Sequence, residues 1–236
     1  DNVETISSCT EGLFQSMKLL NIGEGDEVII PSIHFIGAIN AIVDSKAKAV
    51  FCDVNKRTLN VERKYIEAKI TNKTKAVMLL HYGGVPCDFD EIKELCDHHD
   101  IHIIEDNANS PLSTYREHNT GTIGDIGVWS FDSMKQIVMG DGGLIYCKDK
   151  NLIHDVKQET YMGLLSSSGF SNSIDTKWWE FNIDRPGRRS TINDVQAAMG
   201  LEQLKKIDTF IAIRKRIHDH YNEELRDLEW LNTPQA

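Results

Sequence analysis

Short β-rich segments alternate with helical patterns along the first 148 residues, and this alternation limits the fold more than any other feature of the sequence. The predicted strands are residues 27–30, 49–53, 75–81, 102–105, 126–131 and 143–148. Helices are predicted at residues 11–20, 35–45, 62–70 and 88–98, the last with a capping box formed by Asp88 and Glu91. Apolar strands separated by helices predict an α/β fold, a mostly parallel sheet flanked by helices on both faces.

The alternation is predicted to end after Lys148. Residues 166–190 are rich in Ser and Asn and predict a loop, and a long helix is predicted from about Asn193 to about Leu225. We therefore expect a large α/β domain over residues 1–190, then over residues 191–236 a connecting helix and the start of a small C-terminal domain that is otherwise missing. The chain does not begin with Met, which suggests a processed chain or a fragment, and no signal peptide is visible. Apolar residues on one face of the long helix are Leu204, Ile207, Ile211, Ile217, Tyr221 and Leu225.

Charge and composition argue against several classes of function. The 236 residues include 26 Lys and Arg against 36 Asp and Glu, a net charge of −10, which disfavours binding to nucleic acid. No apolar run approaches the roughly 20 residues that cross a bilayer, so no membrane span is expected. The group His98, His99 and His102 is interpreted as a solvated helix end rather than a metal site. The cysteines are scattered and form no CxxC pair, so neither a disulfide scaffold nor a zinc site is expected, and the protein is predicted to be cytoplasmic. They are Cys9, Cys52, Cys87, Cys96 and Cys147.

Polar residues lie where several predicted strands end, which is where open parallel sheets bind ligands. Asp106 follows the fourth strand, Ser130 lies near the end of the fifth, and Lys135 lies just beyond it. Each residue alone is weak evidence, but together on one rim they indicate a site. Residues 8–12 open the first helix and are interpreted either as an N-cap or as an anion site. Residues 140–143 predict a turn, because they match neither a P-loop nor a dinucleotide fingerprint.

An anion site, a carboxylate and a lysine on one rim suit a phosphorylated aldehyde cofactor, because the lysine can form a Schiff base and the carboxylate can keep a pyridine nitrogen protonated. The segments IIEDNANS and GDIGVWSFDSMKQIVMGDGG resemble the cofactor-binding core of the DegT/DnrJ/EryC1/StrS aminotransferases, fold type I enzymes that use pyridoxal 5'-phosphate. Four further segments resemble the same family in the same order: GEGDEVIIPSIHFIGAINAI, AVFCDVNKRTLNVE, HYGGVPCDFDEI and NDVQAAMGLEQLKKID. The resemblance implies an aspartate-aminotransferase-like large domain. It also implies transfer of an amino group from a glutamate-type donor to a nucleotide-linked keto sugar.

The resemblance assigns five residues directly to the cofactor. Lys135 matches the Schiff-base lysine, which also shuttles the proton between cofactor and substrate carbons. Asp106 matches the carboxylate that faces the pyridine nitrogen. Thr10 and Glu11 match the turn that cradles the phosphate through backbone N–H groups, and Ser130 matches the hydroxyl that joins them.

Other positions are matched less closely. Phe35 matches the aromatic residue that stacks on the cofactor ring, although a role in core packing is almost as good an interpretation. Asn109 stands where the family usually has Gln or His near the phenolic oxygen, so its shorter side chain predicts a contact that is lost or mediated by water. In the loop that reaches the neighbouring subunit's phosphate, the resemblance leaves Arg188, Arg189 and Thr191 as candidates.

The resemblance also implies a homodimer with small-molecule substrates. One alternative is a related pyridoxal-phosphate-dependent sugar dehydratase or lyase, but the family's sugar dehydratases have His in place of the lysine, so Lys135 disfavours this branch. A second alternative is a catalytically silent relative that binds the cofactor or only dimerises. A dinucleotide oxidoreductase fits less well, because no GxGxxG follows any predicted strand.

Overall fold

A seven-stranded sheet forms the centre of the computed structural model, which describes residues 2–164, 179–231 and 233. The strands are β1 Val3–Ile6, β2 Glu27–Pro31, β3 Lys48–Cys52, β4 Thr74–Leu80, β5 His102–Asp106, β6 Thr114–Tyr115, β7 His118–Asn119, β8 Ile126–Ser130 and β9 Gly143–Cys147. The order of strands in the sheet is β1-β9-β8-β5-β4-β2-β3, and β6 and β7 form a separate two-stranded sheet. The pairs from β8 to β3 are parallel, and β9 runs antiparallel to both β8 and β1. The predicted mostly parallel sheet is confirmed.

Helices cover both faces of this sheet. The helices are α1 Cys9–Leu19, α2 Ile36–Asp44, α3 Arg63–Glu67, α4 Phe89–His99, α5 Lys150–Thr160, α6 Asp194–Leu204 and α7 Ile207–Leu225. Helices α1, α2 and α5 pack on one face of the sheet, and α3 and α4 pack on the other. The first four correspond to the four predicted helices. Helix α5 lies where the alternation was predicted to have ended, so that prediction is wrong.

The central strands are apolar on both sides, which explains why their positions could be predicted. Successive side chains of a strand point to opposite faces, so Val28 and Ile30 of β2 join the core under α1 and α2. Ile29 joins the core under α3 and α4. Strands buried on both faces read as continuous apolar runs, and each predicted strand agrees with an observed one to within one residue at either end.

Two local predictions are wrong. The long helix is divided into α6 and α7, because Lys206 has φ −105 and ψ 0, outside regular helical geometry. The sequence hides this break, because no Gly or Pro marks it and the apolar periodicity continues across it. Asp88 is the N-cap residue of α4, but its side chain makes no capping bond. Instead, Asp88 Oδ1 accepts a hydrogen bond of 2.7 Å from the Tyr115 hydroxyl of β6.

The remaining sequence-based predictions concern the ends of elements and the C-terminal part of the chain. His98 and His99 lie in the last turn of α4, and the described residues contain no group of His, Cys, Asp or Glu arranged to hold a metal ion. Within the same residues, no helix is long and apolar enough to cross a membrane. The predicted loop at 166–190 falls partly outside the described residues. The division into domains at residue 190 stays a prediction.

Candidate active site

A cavity of about 670 Å³ lies at the carboxyl ends of the parallel strands. The cavity is lined by residues that follow β2, by residues at the ends of β5 and β8, and by the first residues of α1. Glu11 is the one residue assigned by the resemblance that does not line this cavity. The assigned residues that do line it are Thr10, Phe35, Asp106, Asn109, Ser130 and Lys135.

Asp106 is the last residue of β5 and is only 2% exposed. Its Oδ1 accepts a hydrogen bond of 2.9 Å from the Ala108 amide and faces the Cys9 Sγ at 3.8 Å. Burial raises the pKa of the Cys9 thiol well above its usual value, and the Asp106 carboxylate raises it further, so Cys9 is the S–H donor in this contact. Among the described residues, Asp106 Oδ2 has no hydrogen-bond donor, and His34 Nδ1 lies 4.0 Å from it. One oxygen of a buried carboxylate is therefore left for a ligand.

Lys135 lies in the turn after β8 and lines the cavity. Its backbone amide donates to the Asp132 carbonyl at 3.0 Å, which closes the turn. The side-chain Nζ donates to Asn109 Oδ1 at 3.4 Å. The Asn109 carbonyl in turn accepts from the Gln136 side chain at 3.1 Å. Asn109 thus connects the segment after β5 to the segment after β8, a contact that the sequence did not predict.

The first turn of α1 contains the N-cap that residues 8–12 suggested, whereas the anion site there stays a prediction. Ser8 is the N-cap, and its Oγ accepts from the Glu11 amide at 3.1 Å. The amides of Cys9 and Thr10 have no acceptor within the helix, because the first N–H groups of any helix lack one. Gly143 allows this turn to approach the sheet, since a Cβ there would lie 2.8 Å from the Cys9 nitrogen. Ser130 lines the same part of the cavity at the end of β8.

Phe35 precedes α2 and is 66% exposed, so it is not a core residue. Its ring lies beside Gly37, where a Cβ would come within 3.2 Å of Phe35 Cδ1 and 3.0 Å of Thr10 Oγ1. A glycine at position 37 therefore lets Phe35 and Thr10 lie close together at the cavity wall. Of the two interpretations of Phe35, core packing is wrong.

Glu11 points away from the cavity and binds the loop that precedes α6. Its Oε2 lies 3.1 Å from Arg188 Nη1, and its Oε1 accepts from Gln15 and from Ser190. Arg188 is thus paired within its own chain. Arg189 forms a backbone bridge with Tyr161, and Thr191 is exposed.

Sequence reasoning missed His34 as a site residue. It follows β2, lines the cavity, and has a side chain that is fully enclosed. Burial lowers the pKa of His34, and the nearby Asp106 carboxylate acts in the opposite direction. The only signal in the sequence was its position directly before Phe35.

Comparison with known proteins identifies a family for the whole chain. The model of the DegT/DnrJ/EryC1/StrS aminotransferase family matches residues 1–236. A dTDP-4-dehydro-2,3,6-trideoxy-D-glucose 4-aminotransferase of Saccharopolyspora spinosa is 40% identical over 235 residues, which are 99% of this chain and 61% of that protein. A GDP-perosamine synthase of Escherichia coli O157:H7 is 36% identical over 224 residues, 95% of this chain and 58% of that protein.

A solved structure agrees closely with the fold. The crystal structure of the aminotransferase TlmJ from Streptoalloteichus hindustanus superimposes with a TM-score of 0.93 and 41% identity, covering 100% of this chain and 61% of TlmJ. The fold type I architecture implied by the resemblance is therefore confirmed. The chain spans about three fifths of the length of the curated relatives that it matches.

Proposed function

The chain belongs to the DegT/DnrJ/EryC1/StrS aminotransferase family, and on this premise we propose that it is the cofactor-binding part of a pyridoxal-phosphate-dependent aminotransferase. The proposed reaction moves an amino group from a glutamate-type donor to a nucleotide-linked keto sugar. The observation that carries the proposal is that Asp106 and Lys135, from separate strand ends, line one cavity with the first turn of α1.

The residues of the cavity fit pyridoxal 5'-phosphate, the cofactor of this family. Asp106 Oδ2 lacks a hydrogen-bond donor among the described residues, and it suits a protonated ring nitrogen. The amides of Cys9 and Thr10 and the hydroxyl of Ser130 suit the phosphate, because N–H groups that open a helix attract anions. When bound, the cofactor supplies an electron sink for charge that develops on the substrate.

The protein's own groups then have distinct tasks. Asp106 holds the proton on the ring nitrogen, and the Ala108 amide fixes the carboxylate in place at 2.9 Å. Lys135 takes and returns a proton at Nζ, held within the cavity by Asn109. Phe35 covers one side of the cavity, and as an aromatic side chain it suits stacking on a planar ring.

We further propose a cytoplasmic homodimer in which Arg189 or Thr191 serves the partner's phosphate site. Arg188 is less suited to this task, because Glu11 already binds it in the same chain. A reducing location is supported by the five cysteines, all of which are buried free thiols. The proposed large domain comprises residues 1–190, and the helices after it begin a second domain.

The proposal is tested by incubating the protein with pyridoxal phosphate, glutamate and a panel of nucleotide-linked keto sugars. Mass spectrometry of the products should detect a sugar in which an amino group replaces the keto oxygen. A dehydrated sugar without nitrogen would instead support the dehydratase alternative. Cofactor binding without any product would support the silent relative.

A further inference from the structure

His34 is a buried histidine for which the proposed chemistry has no use. It lies in the segment between β2 and α2, and its side chain has 0% exposure. Its Nδ1 accepts a hydrogen bond of 2.9 Å from the Phe35 amide and lies 4.0 Å from Asp106 Oδ2. Its Nε2 is buried without a hydrogen-bond partner among the described residues. A buried polar ring in this position requires an explanation.

The hydrogen bond from Phe35 determines the tautomer of the ring. Because Nδ1 accepts a proton from the amide, Nδ1 itself is unprotonated, and the proton of neutral His34 is on Nε2. Burial lowers the pKa of His34, which favours this neutral form, whereas Asp106 favours the charged form. The ring therefore carries no charge at neutral pH, although it lies beside a carboxylate.

The two oxygens of Asp106 have different surroundings. Oδ1 is held by the Ala108 amide and the Cys9 thiol, while Oδ2 faces His34 without a hydrogen bond. A positive ligand group at Oδ2 gains the full interaction with the carboxylate only if His34 stays neutral, because a charged imidazole at this distance competes for the same negative charge.

We propose that His34 is a positioning residue for Asp106. The neutral imidazole of His34 packs beside the free Oδ2 of Asp106 and keeps the negative charge of the carboxylate available for a protonated ring nitrogen. The part that concerns the ring nitrogen rests on the proposed function; the coupling between His34 and Asp106 does not. Protonation of His34 at low pH then weakens cofactor binding. Among the carboxylates of the described residues, only Asp106 lies within 4.0 Å of the imidazole. The other titratable groups that line the cavity are Cys9 of α1, Tyr82 after β4, and Asp132, Lys135 and Asp141 after β8.

The coupling is tested without cofactor by NMR titration of histidine-labelled protein. The ¹⁵N shifts of His34 should show a protonated Nε2 and an unprotonated Nδ1 at neutral pH. In Asp106→Asn the pKa of His34 should fall by about 1 unit or more, since an opposite charge at 4–6 Å commonly shifts a pKa by about 1–3 units. An unchanged pKa of His34 in this variant would overturn the proposal.

His102 provides a matched control, because its Nδ1 lies 3.4 Å from Asp125 Oδ2 outside the cavity. The pKa of His102 is raised by its hydrogen bond to Asp125. It should be insensitive to Asp106→Asn and should fall in Asp125→Asn. A shift of both histidines in Asp106→Asn would indicate a general structural change and would refute the specific coupling.

The consequence for the ligand is tested by measuring the dissociation constant of pyridoxal phosphate from its visible absorbance, on both sides of the usual histidine pKa of about 6.5. If binding of the cofactor lowers the pKa of His34 by one unit, protonation of His34 lowers the affinity for the cofactor tenfold. The loss of cofactor affinity on lowering the pH through this value should therefore be about tenfold smaller in His34→Gln than in the native protein. In His102→Gln the loss should equal that of the native protein. Equal losses in all three proteins would overturn the role of His34.

A second variant guards against misfolding. His34→Thr removes the same ring with a smaller side chain, and denaturant unfolding shows whether either variant remains folded. If the native protein binds no cofactor, the proposed function fails, but the NMR titration still decides whether His34 and Asp106 are coupled.

Discussion

Glu105 should be the carboxylate whose replacement by a neutral side chain lowers the free energy of unfolding most, and Glu105→Gln tests this expectation. Its side chain has 0% exposure in β5. Oε1 accepts from the amides of Ile123 at 2.9 Å and Gly124 at 2.6 Å. Oε2 accepts from the Gly121 amide at 2.7 Å and contacts His81 Nε2 at 3.1 Å. All four groups are donors, because His81 Nδ1 accepts from the Cys87 amide and so leaves the proton on Nε2.

The magnitude follows from the number of donors that lose an acceptor. Glutamine replaces one oxygen by an NH₂ group, so either amide orientation turns two buried donors toward another donor. Leaving a buried donor unsatisfied costs about 1–3 kcal/mol, which gives a loss of about 2–6 kcal/mol for Glu105→Gln. Native domains have a free energy of unfolding of about 5–15 kcal/mol, so the variant should be strongly destabilised or largely unfolded.

Urea denaturation followed by circular dichroism measures this loss. Glu117→Gln is the matched control, because Glu117 lies in the same part of the chain and is exposed. The free energy of unfolding of the Glu117→Gln variant should differ from that of the native protein by no more than about 0.5 kcal/mol. A loss below about 1 kcal/mol for Glu105→Gln would refute the reasoning, since it would mean that the four donors find other acceptors.

Further predictions concern the cofactor. Borohydride reduction of the loaded protein followed by peptide mapping should attach the cofactor to Lys135, and a label on any other lysine would contradict the assignment. Asp106→Asn should lower kcat by about 100- to 1,000-fold, as expected when a preorganised charge is removed from a buried site, and a near-native rate would refute its role. Lys135→Ala should abolish the loss of the visible cofactor band on adding glutamate, even if the cofactor still binds; a normal response would exclude Lys135 as the proton carrier. Sedimentation should show a dimer, and a monomer with full cofactor affinity would remove the argument for the shared site.

The elements that could be predicted from the sequence are those whose pattern is local. The central strands are continuous apolar runs, because helices bury them on both faces. Strand β1 has only four residues and a mostly half-buried pattern, so no such run marks it. The predicted capping box at Asp88 does not form, because the hydroxyl of a distant residue, Tyr115, donates a hydrogen bond to the side chain of Asp88. The same hydroxyl accepts a hydrogen bond from the Asp90 amide. A local rule cannot include a partner from another part of the chain.

For the candidate site, the sequence predicted which residues meet but not what each one contacts. Asp106 and Ser130 end neighbouring parallel strands and Lys135 follows closely, so their convergence follows from topology. The contact of Lys135 with Asn109 and the pairing of Glu11 with Arg188 depend on loop conformations and rotamers. No spacing in the sequence determines those.

Glu105 and Asp106 show how a structural carboxylate differs from one that is available for chemistry. They are consecutive residues of β5, so their side chains point to opposite faces of the sheet, and both are almost fully buried. Four donors surround Glu105, and none of its oxygens is left over. Asp106 has an oxygen without a donor among the described residues, at the wall of a cavity that also holds a lysine. Because a buried charge is costly until it is paired, the unsatisfied oxygen of Asp106 is the point at which a positively charged ligand gains most.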